Sequence, residues 1–221
     1  MFILKNKPVQ DIAMTDRLFF TDDTLTAQVD VLTCTAHEDG FAVTLRATPF
    51  HPQGGGQPSD TGRIGDSDVV KVLQQPDGIV HYVKQAIALG SAQAEVDAQR
   101  RQLNARLHSA GHLIGVCGEH SGWVPTKAHH WPGECRVSFV PSETSQPLDA
   151  QTIESTLEQW IRDDLSRITQ VDAEQRIIGF GDLPSYPCGG THVRSLAALK
   201  AVSIVSVTLK KGVLAVRYHL D

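Results

Sequence analysis

Apolar and polar residues alternate at period two through four stretches of residues 1–90: "LTAQVDVLTCTA", "FAVTLRATPF", "DVVKVLQQ" and "GIVHYVKQ". That alternation is the mark of half-buried strands. The segments between them, "HEDG", "HPQGGGQPSDTG" and "QPDG", supply the Gly, Pro and Asp residues that turns require. Short strands with a turn about every ten residues predict a small barrel or curled sheet. Near residue 95 the period changes. In "AEVDAQRRQLNARLHSAGHLIGVCG", Asp97 suits a helix N-cap and Gly118 a helix stop. Between them Leu103, Leu107, Ala110, Ile114 and Cys117 recur at helical spacing. Further on, "RVSFV" at 136–140 reads as a strand, and "PLDAQTIESTLEQWIRDDLSRI" places Ile153, Leu157, Trp160, Ile161, Leu165 and Ile168 on one helical face. "ITQVDAEQRI" reads as a strand, "GFGDLPSYPCGGTH" as a loop, and "KAVSIVSVTLKKGVLAVRYHL" as a hairpin turning at Lys211 and Gly212. The predicted fold is α+β: a small glycine-rich, β-barrel-like domain over 1–95, then a two-layer α/β domain over 96–221.

Composition narrows the class. With 41% hydrophobic and 20% charged residues, the chain can build one large core or two small ones. A net charge of −5 excludes a polybasic protein, so a nucleic-acid partner must be held by a local patch. Four scattered cysteines, Cys34, Cys117, Cys135 and Cys188, are too few for a disulfide framework and fit a reducing compartment. The segment "MFILKNKPVQ" lacks a secretory apolar run, and no stretch reaches the roughly 18 apolar residues of a membrane span. The expectation is a soluble, cytoplasmic protein. Nothing in the sequence speaks to oligomeric state.

The candidate chemistry lies in two short strings. "HSAGH" carries His108 and His112, and "CGGTH" carries Cys188 and His192. On a helix, residues four apart lie roughly 40° apart around the axis, one turn above the other, so both imidazoles can face one ion. The two glycines of "CGGTH" permit a sharp turn that returns Cys188 and His192 toward one point. Either pair alone is more often surface or satisfied core than a ligand set. Together they make a borderline-soft group of three nitrogens and one sulfur, suited to tetrahedral Zn2+. A zinc-protease reading fails, because the general-base Glu that would follow the first histidine is Ser109 here. Four protein ligands close the tetrahedron, and zinc then braces or positions. Hydroxide chemistry requires His192 to stay off or coordination to expand, and the sequence leaves both open. The triple glycine at 54–56 is no P-loop, since Gln57-Pro58 follows it.

"HSAGH" followed by "CGGTH" resembles the editing domain of alanyl-tRNA synthetases and the freestanding AlaX editing proteins. "FHPQGGGQPSDTGRI" is similar to that family's glycine-rich segment, "PTKAHHWPGECRVSF" to the segment after the zinc helix, and "KKGVLAVRYHL" to its closing strand. The likeness covers residues 41–221. It implies zinc on His108, His112, Cys188 and His192, and a substrate pocket lined by Gly54, Gly55, Gly56, Gln57, Thr126, Lys127 and His129. With 221 residues leaving no room for a synthetase catalytic domain, the expectation is a standalone editor of the longer AlaX form. It would hydrolyse the ester of mischarged alanine tRNA, carrying serine or glycine. Such a second site is needed because an alanine pocket cannot strongly reject glycine or serine. Serine must then be preferred over alanine by a group that bonds its hydroxyl, with Gln57 or Thr126 as candidates. One departure stands out. Synthetase editing domains commonly carry threonine before the second helical histidine, and here it is Gly111. Neither zinc motif holds a carboxylate base, so no catalytic residue is assigned. The available cations for the tRNA acceptor end are Arg100, Arg101, Arg106, Lys210, Lys211 and Arg217, whose other reading is solvated helix and hairpin faces. Two further classes stay open: a zinc-stapled RNA-binding module without activity, and another zinc hydrolase or lyase acting on a small molecule.

Overall fold

The computed structural model describes residues 15–171 and 175–221. The segment "MFILKNKPVQ", on which the absence of a secretory run rested, lies outside them. Six strands, β1 (Thr26–His37), β2 (Gly40–Leu45), β3 (Gly62–Ile64), β4 (Ser67–Gln75), β5 (Gly78–Val83) and β6 (Gly90–Val96), close into a barrel in the order β1-β2-β5-β4-β3-β6. Every pairing in it is antiparallel. The inward residues of the alternating strands, among them Val29, Val31, Val43, Leu45, Ile64, Val72 and Val96, form one hydrophobic core with Phe19 and Phe50. Closure depends on β3 and β6, two strands the apolar pattern did not announce. "GSAQAEV" offers small side chains with weak strand preference.

Helix α1 (Ala98–His120) follows at once, capped by the Asp97 side chain accepting from the Arg100 N–H at 3.0 Å. It runs two residues past the expected stop. Gly118 is interior, and its missing β-carbon is what admits the Phe139 ring, which would overlap any side chain there. Leu103, assigned to the buried stripe, is 37% exposed, whereas burial extends around the helix to Asn104, Ser109 and Val116. A four-stranded sheet follows, built from β7 (Trp123–His129), β8 (Arg136–Pro141), β11 (Val202–Lys210) and β12 (Val213–Leu220) in the order β11-β12-β8-β7. Its inner residues Val137, Phe139, Leu214, Val216 and Tyr218 share a second core with Leu107, Ala110, Ile114 and Cys117 of α1 and with Ile153 and Leu157 of α2 (Ala150–Arg162). The expected second helix is therefore shorter than its apolar period. Asp164 adopts φ 46°, and Leu165 and Ile168 fall beyond the helix. "ITQVDAEQRI" is two antiparallel strands, β9 (Arg167–Val171) and β10 (Arg176–Phe180), instead of one. The hairpin does turn at Lys211 and Gly212, both at positive φ.

A buried ion pair fastens α1 to the barrel turn. Arg101 donates to Asp60 Oδ2 at 3.0 Å and 2.5 Å and to the Pro49 carbonyl at 2.6 Å.

Candidate metal centre

The two motifs meet. One ligand atom each from His108, His112, Cys188 and His192 lies within 4.8 Å of every other. Helix α1 supplies the first two at one-turn spacing, and the loop after β10 supplies the rest. That loop reaches His108 only because residue 190 is glycine, for a β-carbon there would overlap the His108 ring. Arg176, 4% exposed, holds the loop by donating to the carbonyls of Gly190 at 2.5 Å and Cys188 at 3.4 Å.

Hydrogen bonds fix which nitrogen each imidazole offers. Gln57 Oε1 accepts from the Thr191 N–H at 3.0 Å, which sets the amide's orientation. The same oxygen lies 2.7 Å from His108 Nδ1, so that nitrogen carries the hydrogen. Nε2 of His108 is left as a lone pair, 3.5 Å from the Cys188 sulfur. On His192, Nδ1 sits 3.1 Å from Ser109 Oγ while Nε2 sits 3.3 Å from the same sulfur. This is the outer layer of bonding that orients metal-binding histidines. Burial holds His108 and His192 well below 6.5 and brings His112 to about 4, keeping all three in the neutral form that ligates. Burial also raises the Cys188 thiol, opposed by the nearby Arg176 guanidinium. Three neutral imidazoles and a thiol beside a cation fit Zn2+ by donor type.

Three of the four, His108, His112 and Cys188, line a cavity of about 320 Å³, within the range of small-ligand sites. Of the expected pocket residues, Gly55, Thr126 and Lys127 line it. Gln57 is fully buried behind His108 and spends its amide on His108 and Thr191. Gly54 closes a tight turn with Gln57, through bonds of 3.1 Å and 2.9 Å, and Gly56 backs onto strand β7. His129 faces away, stacked on Trp131 at 5.8 Å and 7°. Its neighbour His130 lines the cavity instead, as does Tyr186, whose hydroxyl donates to Glu119. Burial lowers His130 to about 3, and burial with the Glu119 contact raises Tyr186. His130, Tyr186, Arg176 and the orienting role of Gln57 carry no spacing signal along the chain.

The expected cations divide. Arg101 is corrected to a structural residue: at 7% exposure it is consumed by Asp60 and Pro49. Arg106 is half-buried and donates to the Leu199 carbonyl at 2.8 Å. Arg100 holds the Ser59 carbonyl at 2.9 Å with its exposed side chain. Lys210 and Lys211 sit exposed at the hairpin tip, and Arg217 is exposed on the sheet directly across from Arg136.

Most of the chain is similar to curated proteins. The alanine–tRNA ligase of Parafrankia sp. (strain EAN1pec) is 30% identical over 208 residues, 80% of this chain. The alanyl-tRNA editing protein Aarsd1 of Danio rerio is 30% identical over 189 residues, 75% of this chain, and that of Rattus norvegicus 30% identical over 191 residues. The chain is a relative of the alanyl-tRNA synthetases and the alanyl-tRNA editing proteins. It matches 24% of that ligase's length and 45% of each of those two editing proteins. No family model matches. Among the described residues, no helix is long and apolar enough to cross a membrane.

Proposed function

We propose that this chain is a cytoplasmic, trans-acting deacylase that hydrolyses the ester of mischarged alanine tRNA, bearing serine or glycine, in a zinc-containing cavity. One observation carries the reading: three imidazoles and a thiol converge at one point, and two of those imidazoles and the thiol line a ligand-sized cavity, in a chain related to proteins named for alanyl-tRNA editing. Residues 1–95 and 96–221 act as two domains in this reading, each with its own core. Zn2+ would sit on His108, His112, Cys188 and His192, and when bound it supplies positive charge beside the reacting ester or the substrate's amino and ribose groups. The chain's own residues do the rest. Gly55 lets the terminal nucleotide approach the backbone, Thr126 and Lys127 border the entrance, and Gln57 keeps His108 oriented.

For the tRNA acceptor end, the outer face of the sheet offers Arg217, with Arg136 directly opposite it and His129 opposite Arg136. Like charges facing across strands cost stability, and a phosphate between them removes that cost. Arg100, Lys210 and Lys211 extend the surface, and Arg106 contributes the part not spent on Leu199. A chain of net charge −5 holding phosphate by such a patch binds modestly and weakens with salt.

The test is deacylation of alanine tRNA charged with serine, glycine or alanine. Release of serine or glycine with alanine spared supports the proposal. Binding with the ester intact points to a zinc-stapled RNA module, and neither binding nor release points to a zinc enzyme of small molecules.

A further inference from the structure

One buried side chain in the cavity wall has no task in the metal centre. His130 is 1% exposed, and two glycines from distant segments make room for it. A β-carbon on Gly111 would overlap its ring, and one on Gly56 would lie 3.2 Å from its Cδ2. Its N–H donates to the Gly56 carbonyl at 2.9 Å, and its ring stacks on His108 with centroids 4.4 Å apart. The tautomer follows from Tyr218. That hydroxyl has one hydrogen, which it donates to the Leu107 carbonyl at 3.0 Å. The same oxygen lies 2.6 Å from His130 Nδ1 and therefore accepts there. Nδ1 carries the ring hydrogen, and Nε2 is a lone pair.

Most other polar side chains of the cavity have protein partners, and Lys127, exposed in its lining, carries an ammonium group that offers donors and no acceptor. His108, His112 and Cys188 belong to the metal cluster, Tyr186 donates to Glu119, and the Thr126 hydroxyl donates to the Ser138 carbonyl at 3.1 Å. Among the described residues no protein donor meets His130 Nε2. We propose that His130 Nε2 accepts a hydrogen bond from the side-chain hydroxyl of the amino acid carried by the tRNA, and so sets the preference for serine. The proposal rests on the deacylase reading above. Alanine brings no donor and leaves a fixed acceptor on a buried ring unpaired, the arrangement that discriminates most sharply between near-isosteres. The volume that a side chain at position 111 would fill is the imidazole's, so the small residue on the helix and the acceptor beside it are one structural choice.

Two variants separate hydrogen bonding from support. His130→Asn keeps a polar group at the Nδ1 position facing Tyr218 and deletes the acceptor. His130→Gln places an amide oxygen near the Nε2 position. With Asn, kcat/KM on seryl-tRNA is expected to fall about 10-fold to 100-fold, and glycyl-tRNA less, so that the serine-to-glycine ratio collapses by about tenfold or more. Gln restores part of that ratio. Calorimetry with a non-hydrolysable 3′-seryl-amido adenosine, against its glycyl counterpart, shows the same loss of discrimination, while zinc per chain stays at the wild-type value. An equal fall on both substrates, or an unchanged ratio in the Asn variant, overturns the proposal. A wild-type chain inert on all three charged tRNAs overturns the deacylase reading, and this one with it.

Discussion

The barrel and the metal centre each bury histidines, and they use them in opposite ways. His81 in the barrel is 0% exposed, and both its nitrogens are answered by protein: Nε2 lies 2.7 Å from Thr48 Oγ1 and Nδ1 lies 3.3 Å from the Val43 carbonyl. His108 and His192 are nearly as buried, at 2% and 4%, yet each has only one nitrogen answered. The other points at the sulfur of Cys188 and at its neighbours. Polar groups buried without partners cost stability, and lone pairs gathered at one point also repel unless a cation lies between them. Burial alone therefore does not mark a functional histidine. Nor does one unanswered nitrogen, since His51 Nδ1 is also buried without a partner; several of them gathered at one point do.

The sharpest way to break that contrast is Cys188→Ala. Bound zinc, read by elemental analysis, is expected to be lost, and deacylation to fall beyond the about 100-fold that marks outer-layer changes. His81→Gln, by contrast, keeps both. Retained zinc and turnover in the alanine variant would erase the distinction. Next in size is the barrel's share of the acid sensitivity that buried histidines in both regions create. Burial takes His81 from 6.5 to about 4. As pH falls below 6.5 the unfolded chain binds the proton first, so stability that is complete above 6.5 is lost toward pH 4, by about 3 kcal/mol for a fully buried group. Urea unfolding of metal-free protein at pH 7 and pH 4 measures the total, and His81→Gln should make that fall smaller by about 3 kcal/mol. An equally steep fall in the variant would place the proton elsewhere. Smallest is Gln57→Ala, which leaves the His108 N–H unanswered. Metal affinity should weaken by about 10-fold to 100-fold in chelator competition, and unchanged affinity would reduce Gln57 to filler.

What was legible in the sequence was what local spacing encodes. Helix periodicity alone brings His108 and His112 together, and the two glycines of "CGGTH" make the return to Cys188 and His192 readable. Their partners carry no such signal, because Gln57 meets Thr191 across 134 positions and Arg176 acts from a different strand. The exchange of His129 for His130 has a specific cause. Strand β7 pairs Pro125 with Phe139 and Lys127 with Ser138, leaving Thr126 as a bulge. That single extra residue reverses which face every later side chain occupies, turning His129 outward and His130 in. Similarly, the apolar period of α2 continues by coincidence through Leu165 and Ile168, and only the backbone at Asp164 reveals the break.

The amide of Gln57 has a consequence that reaches past the histidine it orients. It hangs from a turn between two barrel strands and grips both the long helix and the late loop. By mass action, an ion present at about 1,000 times its dissociation constant adds about 4 kcal/mol to the folded state. Because part of that grip belongs to the barrel, occupancy and the docking of the two halves are thermodynamically linked. Loading the centre tightens a seam that it reaches through His108, the one ligand the amide holds.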